Sequence, residues 1–450
     1  MVEVESQNMV GKRSRFRVPC NIDRAPVTKP EASDLPAKIG RYDIRAKLAD
    51  GGMATVYVGR LSGPAGFERV VAIKVIKPEY SQDKSFVNMF LDEARIAARL
   101  SHPSIVQVHE LGEDEGAGTK RLFIVMELLF GESLWDVWYT AQKRGKPLPL
   151  DMAAWIGARV AEGLDHAHEL HDAAGVKQNV IHRDINPSNL FITYDGQVKI
   201  IDFGLAKAKN RVTETGLGVL KGKVAYMAPE QTRAAKDLDH RADIFALGTT
   251  LYELTTNRRL FKRGDNVSTL AAVAEAKVPD PSTMVPDYSP ELWSVLKKAL
   301  AKSRDDRYDS AKEMVAALDA VSRSQGRVVT AATVAAFMED LFGAERQRYS
   351  TFLEEVRSER PVPQEVFRPK SEIIDDNAEI VGVDVPVSNK AGSESVPMPL
   401  TKRADPYAPP PPPPDEAPAE ELKENRQAWI WAVVFLIAAI ATVWFAMSRM

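Results

Sequence analysis

Cysteine is nearly absent from this chain: one, Cys20, stands among 450 residues. That excludes an internal disulfide framework and fits a reducing compartment. Charge of one sign is also missing. Lys and Arg number 59 against 62 Asp and Glu, leaving −3 and a pI near 6.2, so nothing in the balance selects nucleic acid as a partner. Residues 1–40 have no apolar core. Lys12, Arg13, Arg15 and Arg17 stand among polar residues and prolines, which excludes a secretory signal and reads as a flexible tail. Hydrophobic residues make up 44%, ample for a large core, and no internal repeat is visible. The length allows roughly two to four domains.

What is present concentrates between Val180 and Gly204, VIHRDINPSNLFITYDGQVKIIDFG. Asp184, Asn189 and Asp202 lie close together in sequence. Two apolar runs, Leu190–Ile192 and Val198–Ile201, flank Tyr194-Asp195-Gly196-Gln197, and an Asp-Gly between such runs predicts a hairpin. Closing it sets Asn189 beside Asp202. A pair of oxygen donors there suits a hard cation such as Mg²⁺. Asp184 is then placed to take a proton from an attacking hydroxyl, the apparatus of phosphoryl transfer.

Upstream, Thr55–Val58 and Val70–Ile76 read as strands. Before them stands Leu48-Ala49-Asp50-Gly51-Gly52-Met53-Ala54, whose small residues let backbone N–H groups close over phosphate oxygens. From Ser85 to Leu100, Phe86, Met89, Phe90, Ile96, Ala97 and Leu100 fall at helical spacing, with Glu93 on the same stripe. A carboxylate on a buried face is costly unless paired, and Lys74 is its natural partner. Asp151–Leu170 reads as a helix. Its His166 and His168, with His171, do not share one helical face and are read as exposed or hydrogen-bonded rather than metal-binding. Asp243–Leu254 is apolar nearly all round, which places it at the centre of a domain.

These residues resemble the eukaryotic-like, bacterial-type serine/threonine protein kinases over 42 to about 321. His182-Arg183-Asp184 with Asn189, then Asp202-Phe203-Gly204, match in order and spacing. The resemblance implies an α+β, bilobal protein kinase fold over 41–321, with a β-rich N-lobe on a mostly α-helical C-lobe and ATP between them. It implies catalytic roles for Asp184, Lys74, Glu93, Asn189 and Asp202, with Mg²⁺, or Mn²⁺ in its place, on Asn189 and Asp202. Leu48, Gly51, Gly52, Val56, Ala72, Lys74, Met126, Glu127 and Leu129 would line the nucleotide pocket. Met126 would control its depth, in a hinge whose backbone meets the adenine. Asp243 would bond the catalytic loop, and Arg307 would pair with Glu230 of Ala228-Pro229-Glu230. A phosphate on Thr213 or Thr215 would pair with Arg183. The expected partners are ATP, protein substrates and a homodimer for autophosphorylation in trans. Four positions depart from the family: Ala49 and Ala54 replace glycines, Asn186 stands where lysine is usual, and Lys223 where Thr or Ser is usual. The competing reading is a weakly active pseudokinase serving as a membrane scaffold.

Beyond the kinase-like segment, Thr330–Val356 carries another helical pattern, within an expected helical extension over 322–360. Residues 361–427 are rich in Pro and charge, with six consecutive prolines at Pro409–Pro414, and read as a disordered tether. Ala428–Met447 is an uncharged run of 20 residues with Trp429, Trp431 and Trp444 near its ends. At about 1.5 Å per residue it matches the roughly 30 Å of a bilayer core. With Lys423 and Arg426 before it, the run reads as one transmembrane helix that holds the kinase domain on the cytoplasmic side of the cell membrane.

Overall fold

The computed structural model describes residues 35–116, 119–203, 223–233, 238–324, 326 and 328–358. Most of the predicted tail, the tether, the apolar run at 428–447 and both Thr213 and Thr215 lie outside the described residues. Among the described residues no helix is long and apolar enough to cross a membrane.

The N-lobe is built on an antiparallel sheet from β1 (Lys38–Ile39), β2 (Tyr42–Asp50), β3 (Ala54–Ser62), β4 (Glu68–Ile76), β5 (Val108–Gly116) and β6 (Thr119–Glu127), in the order β1-β2-β3-β4-β6-β5. Between β4 and β5 come α1 (Pro78–Ser81) and α2 (Lys84–Ala97). The β-branched run of β4 alternates across the sheet, as a two-residue period requires. Val71, Ile73 and Val75 fall in one apolar cluster with Phe123 and Val125. Ile76, on the opposite face, packs with Phe90, Ala94 and Ala97 of α2. The α2 N-terminus is capped by Asp83, which accepts from Ser85 N at 2.8 Å.

After a short β7 (Gly131–Ser133), the chain enters the helical C-lobe with α3 (Leu134–Lys143) and α4 (Leu150–His168). Then β8 (Leu190–Thr193) and β9 (Val198–Ile200) pair antiparallel, Leu190 opposite Ile200. The expected turn closes this hairpin, with Gly196 at φ +82°. A Cβ there would also meet Ala331 O at 1.9 Å, so glycine is needed both for its backbone angle and for the close approach of a later helix.

The remaining helices are α5 (Pro229–Thr232), α6 (Arg241–Thr256), α7 (Asn266–Glu275), α8 (Pro290–Ala299), α9 (Ala311–Ser324) and α10 (Ala331–Arg357). Every residue of α6 from Ala242 to Thr256 is buried, as its all-round apolar pattern predicts. Its threonines satisfy their hydroxyls within the helix, Thr249 on Phe245 O and Thr250 on Ala246 O. One large cluster joins α6 to α4, α8 and α9 and forms the C-lobe core.

Candidate active site

Cross-strand register fixes the first half of the site. Lys74 lies opposite Val56 on β3 and Ile124 on β6, and Ala72 lies opposite Val58 and Met126. Paired residues share a face, so Val56, Ala72, Lys74 and Met126 stand together on the side of the sheet that faces α2. Lys74 Nζ donates to Glu93 Oε1 at 2.8 Å and to Asp202 Oδ1 at 2.8 Å. Three groups scattered over 128 positions thus meet at one ammonium. Burial works against the charge on Lys74, but the Asp202 and Glu93 carboxylates outweigh it and raise its pKa above the ordinary lysine value.

The second half is the loop before β8. Asp243, fully buried on α6, accepts from His182 N and Arg183 N and from His168 Nε2, each at 2.8 Å. Burial alone would raise the Asp243 pKa; the His168 hydrogen bond and these neighbours turn it downward, so the carboxylate stays ionised. The loop is thereby held from beneath. Arg183 at φ 66° and Asp202 at φ 53° both occupy the left-handed region that non-glycine residues avoid. Such strain, costing about 1–3 kcal/mol each, persists only where surrounding bonds over-determine the backbone. Phe203 is buried against His182, their rings 4.7 Å apart.

Asp184 is gripped by two amides. Asn189 Nδ2 donates to its backbone O at 2.7 Å and its Oδ2 at 3.0 Å. Asn186 Nδ2 donates to the same O at 2.9 Å and to Oδ1 at 3.2 Å, while its own Oδ1 accepts from Ser188 N. Asn186 is therefore a buried brace for Asp184, not an exposed substitute for the usual lysine. The sequence marks this position as lacking the usual lysine, which stands, and the brace is an addition that the structure supplies. His168, read from the sequence as exposed or hydrogen-bonded, is buried and hydrogen-bonded, and its partner, Asp243, could not be named from the sequence.

Ile201 N bonds Asn189 O at 2.9 Å, so the hairpin does bring Asn189 and the Asp202 segment together. With its N–H groups on Asp184, Asn189 has Oδ1 left, and no donor among the described residues reaches it. Asp202 keeps a half-exposed carboxylate (52%) beside Lys74. These two oxygens fit a hard divalent cation that completes its shell with phosphate and water.

In the glycine-rich loop, Gly51 N bonds Ala54 O at 3.0 Å, and a Cβ at Gly51 would crowd that same oxygen at 3.1 Å. Asp50 bonds Lys47 and, at 2.8 Å, Lys77. These hydrogen bonds hold its pKa down at about 2. At the hinge, the Glu127 side chain turns away to Gln107 N and Lys199, and the Glu127 N–H donates to Gln107 O at 2.9 Å. Leu48 and Leu128 lie in a third apolar cluster with Ala46 and Val58. Farther off, Arg307 clamps Glu230 with two parallel bonds of 2.7 and 2.8 Å, as expected from the sequence. Lys223 begins a 3₁₀ turn ending at Tyr226.

A β-sheet lobe on a helical lobe, with a lysine spanning two carboxylates at their junction, defines the two-lobed kinase fold. Residues 42–317 match the protein kinase domain family, and the chain belongs to that family. It is 43% identical over 321 residues to the tyrosine-protein kinase MasK of Myxococcus xanthus, covering 71% of this chain and 49% of the relative. Over 291 residues it is 37% identical to the serine/threonine-protein kinase PknB of Mycolicibacterium smegmatis, covering 63% and 43%. The solved kinase domain of Mycobacterium tuberculosis PknI covers 64% of this chain at 28% identity, with a TM-score of 0.47. The match spans about half the length, or less, of relatives such as MasK and PknB.

Proposed function

We propose that this chain is a protein kinase that transfers the γ-phosphoryl of ATP to Ser/Thr hydroxyls of proteins, itself included, from a membrane tether. The observation that carries the reading is Lys74 held between Glu93 and Asp202 while two amides aim Asp184. Asp184 orients the acceptor hydroxyl and takes its proton as the O–P bond forms and the bond to the ADP leaving group breaks, a role worth ~10²–10⁴-fold. Lys74 holds the α- and β-phosphates, with Glu93 fixing its position. When bound, Mg²⁺ on Asn189 and Asp202 supplies charge neutralisation at the phosphates. The brace on Asp184 favours catalysis over a pseudokinase scaffold.

The serine/threonine preference is supported by relatives such as PknB, and tyrosine is the second reading because the 43%-identical MasK carries that name. Labelled γ-phosphate transfer decides the activity. Wild type should label itself and a generic substrate with Mg²⁺ or Mn²⁺, and Lys74→Ala and Asp184→Asn should not. Phosphoamino-acid analysis of the product reads the hydroxyl class, and equal labelling by wild type and Lys74→Ala defeats the proposal. The tether rests on the apolar run at 428–447. Full-length chain should resist alkaline extraction from membranes, and a chain ending at 427 should not.

A further inference from the structure

The helix α10 lies beyond the residues that match the kinase family, yet it touches both lobes. Its first half belongs to the C-lobe: Val334, Met338, Leu341 and Phe342 are buried in the large core cluster. The backbone then kinks at Phe342, with φ −136° and ψ 22°. Its last turns belong to the N-lobe. Phe352 and Val356 are wholly buried against Ala46 and Val58, with Leu48, Val70 and Leu128 packed on the same cluster. From Phe342 to Val356 the helix rises about 21 Å at roughly 1.5 Å per residue, enough to cross from one lobe to the other.

N-lobe arginines secure this end. The last carbonyls of a helix have no intrahelical partner and carry partial negative charge. Arg60 donates to Arg357 O at 2.8 Å and Arg45 to Ser358 O at 2.7 Å. At the C-lobe end, Lys146 pairs with Asp340 at 2.6 Å.

The sheet periodicity shows what this accomplishes. Val70, Ala72, Lys74 and Ile76 alternate onto one face of β4. Ile76 packs toward α2, and Val70 packs toward α10. Ala72 and Lys74, the residues assigned to the nucleotide, lie between these two helices. Leu48 enters the glycine-rich loop and Leu128 sits in the hinge, so the α10 cluster includes the edge of the proposed adenine pocket itself.

We infer that α10 is the second wall of the nucleotide site: Phe352 and Val356 are positioning residues that hold Leu48 and Leu128 in register across the hinge, coupling ATP affinity to the docking of α10 on the N-lobe. This rests on the nucleotide-binding reading above. Coupling is reciprocal, so a nucleotide that prefers the docked arrangement must also tighten the docking.

Hydrogen exchange on the full-length wild-type chain, with and without a non-hydrolysable ATP analogue and Mg²⁺, tests it without any variant. Exchange should slow both at 48–56 and at 349–357. Slowing at 48–56 and 122–129 with none at 349–357 overturns the coupling and leaves nucleotide binding intact. No slowing anywhere overturns nucleotide binding, and the inference with it. Arg45→Ala with Arg60→Ala releases the end of α10 without opening a core cavity. This double variant should raise the KM for ATP about fivefold or more with kcat within about twofold, since such couplings are typically 5–150-fold. An unchanged KM for ATP sinks the proposal, as does a loss confined to kcat, which a merely structural helix could produce.

Discussion

Two helices bear on the same face of the N-lobe sheet, and they do so by opposite means. From α2 comes a charge: Glu93 reaches Lys74 at 2.8 Å, while the apolar side of the helix rests on Ile76 and Ile124. From α10 comes only apolar bulk at the contact, Phe352 and Val356, with the polar bonds made by its terminal carbonyls. The difference separates two tasks. An ion pair fixes where one atom sits, because its energy depends steeply on distance and direction. Apolar packing fixes where a whole strand sits, because it is spread over many contacts and has no direction of its own. A site that needs a lysine at one point and a sheet edge at one height uses both.

The largest expected effect of breaking this contrast is on stability. Phe352→Ala empties a fully buried aromatic site, and such truncations cost ~3–5 kcal/mol. Urea unfolding of the full chain should show a loss of that size, with kcat for transfer nearly kept at saturating ATP. A stability loss below about 1 kcal/mol would mean that Phe352 is not packed as described. Glu93→Ala should do the reverse. Lys74 keeps Asp202, so unfolding should shift little, but a phosphate-binding group misplaced by about 1 Å costs ~10²-fold in rate, or about 2.7 kcal/mol of barrier. Transfer assays at saturating ATP read this directly, and the contrast fails if both variants move the same quantity.

The two helices were unequally legible. The spacing of Asp184, Asn189 and Asp202 is local, and a hairpin between Asn189 and Asp202 can be read from two apolar runs and an Asp-Gly. The partnership of Lys74 with Glu93 was legible because a carboxylate on an apolar stripe demands a cation. For α10 the period was visible, but periodicity gives a stripe and not the surface that stripe will cover. The stripe changes lobes at Phe342, beside Gly343, one of the few residues able to mark a kink. Asn186 was half legible for a related reason. Its type says, correctly, that a charge is missing, whereas its grip on Asp184 depends on two hydrogen bonds that only the folded loop brings within reach.

A third attachment near the same sheet edge, Asp50 with Lys47 and Lys77, should show how much less an exposed pair contributes than either helix. Asp50 is over a third exposed, so screening limits its contribution to under about 1 kcal/mol. Its folded pKa, about 2, lies below the ordinary 3.8, so the unfolded chain holds its proton to higher pH than the folded one does. The contribution is therefore complete above about pH 5 and fades as pH falls from 3.8 toward 2. Urea unfolding of wild type and Asp50→Asn at pH 5 and pH 3 isolates it, because every other carboxylate titrates in both proteins. Stability should fall more in wild type over this interval, by a few tenths of a kcal/mol, and parallel losses would show that the two lysines do not hold Asp50 in solution. Since Asp50 lies in the loop expected to close over phosphate, a measurable difference would also show that the loop's own negative charge is neutralised before any nucleotide arrives.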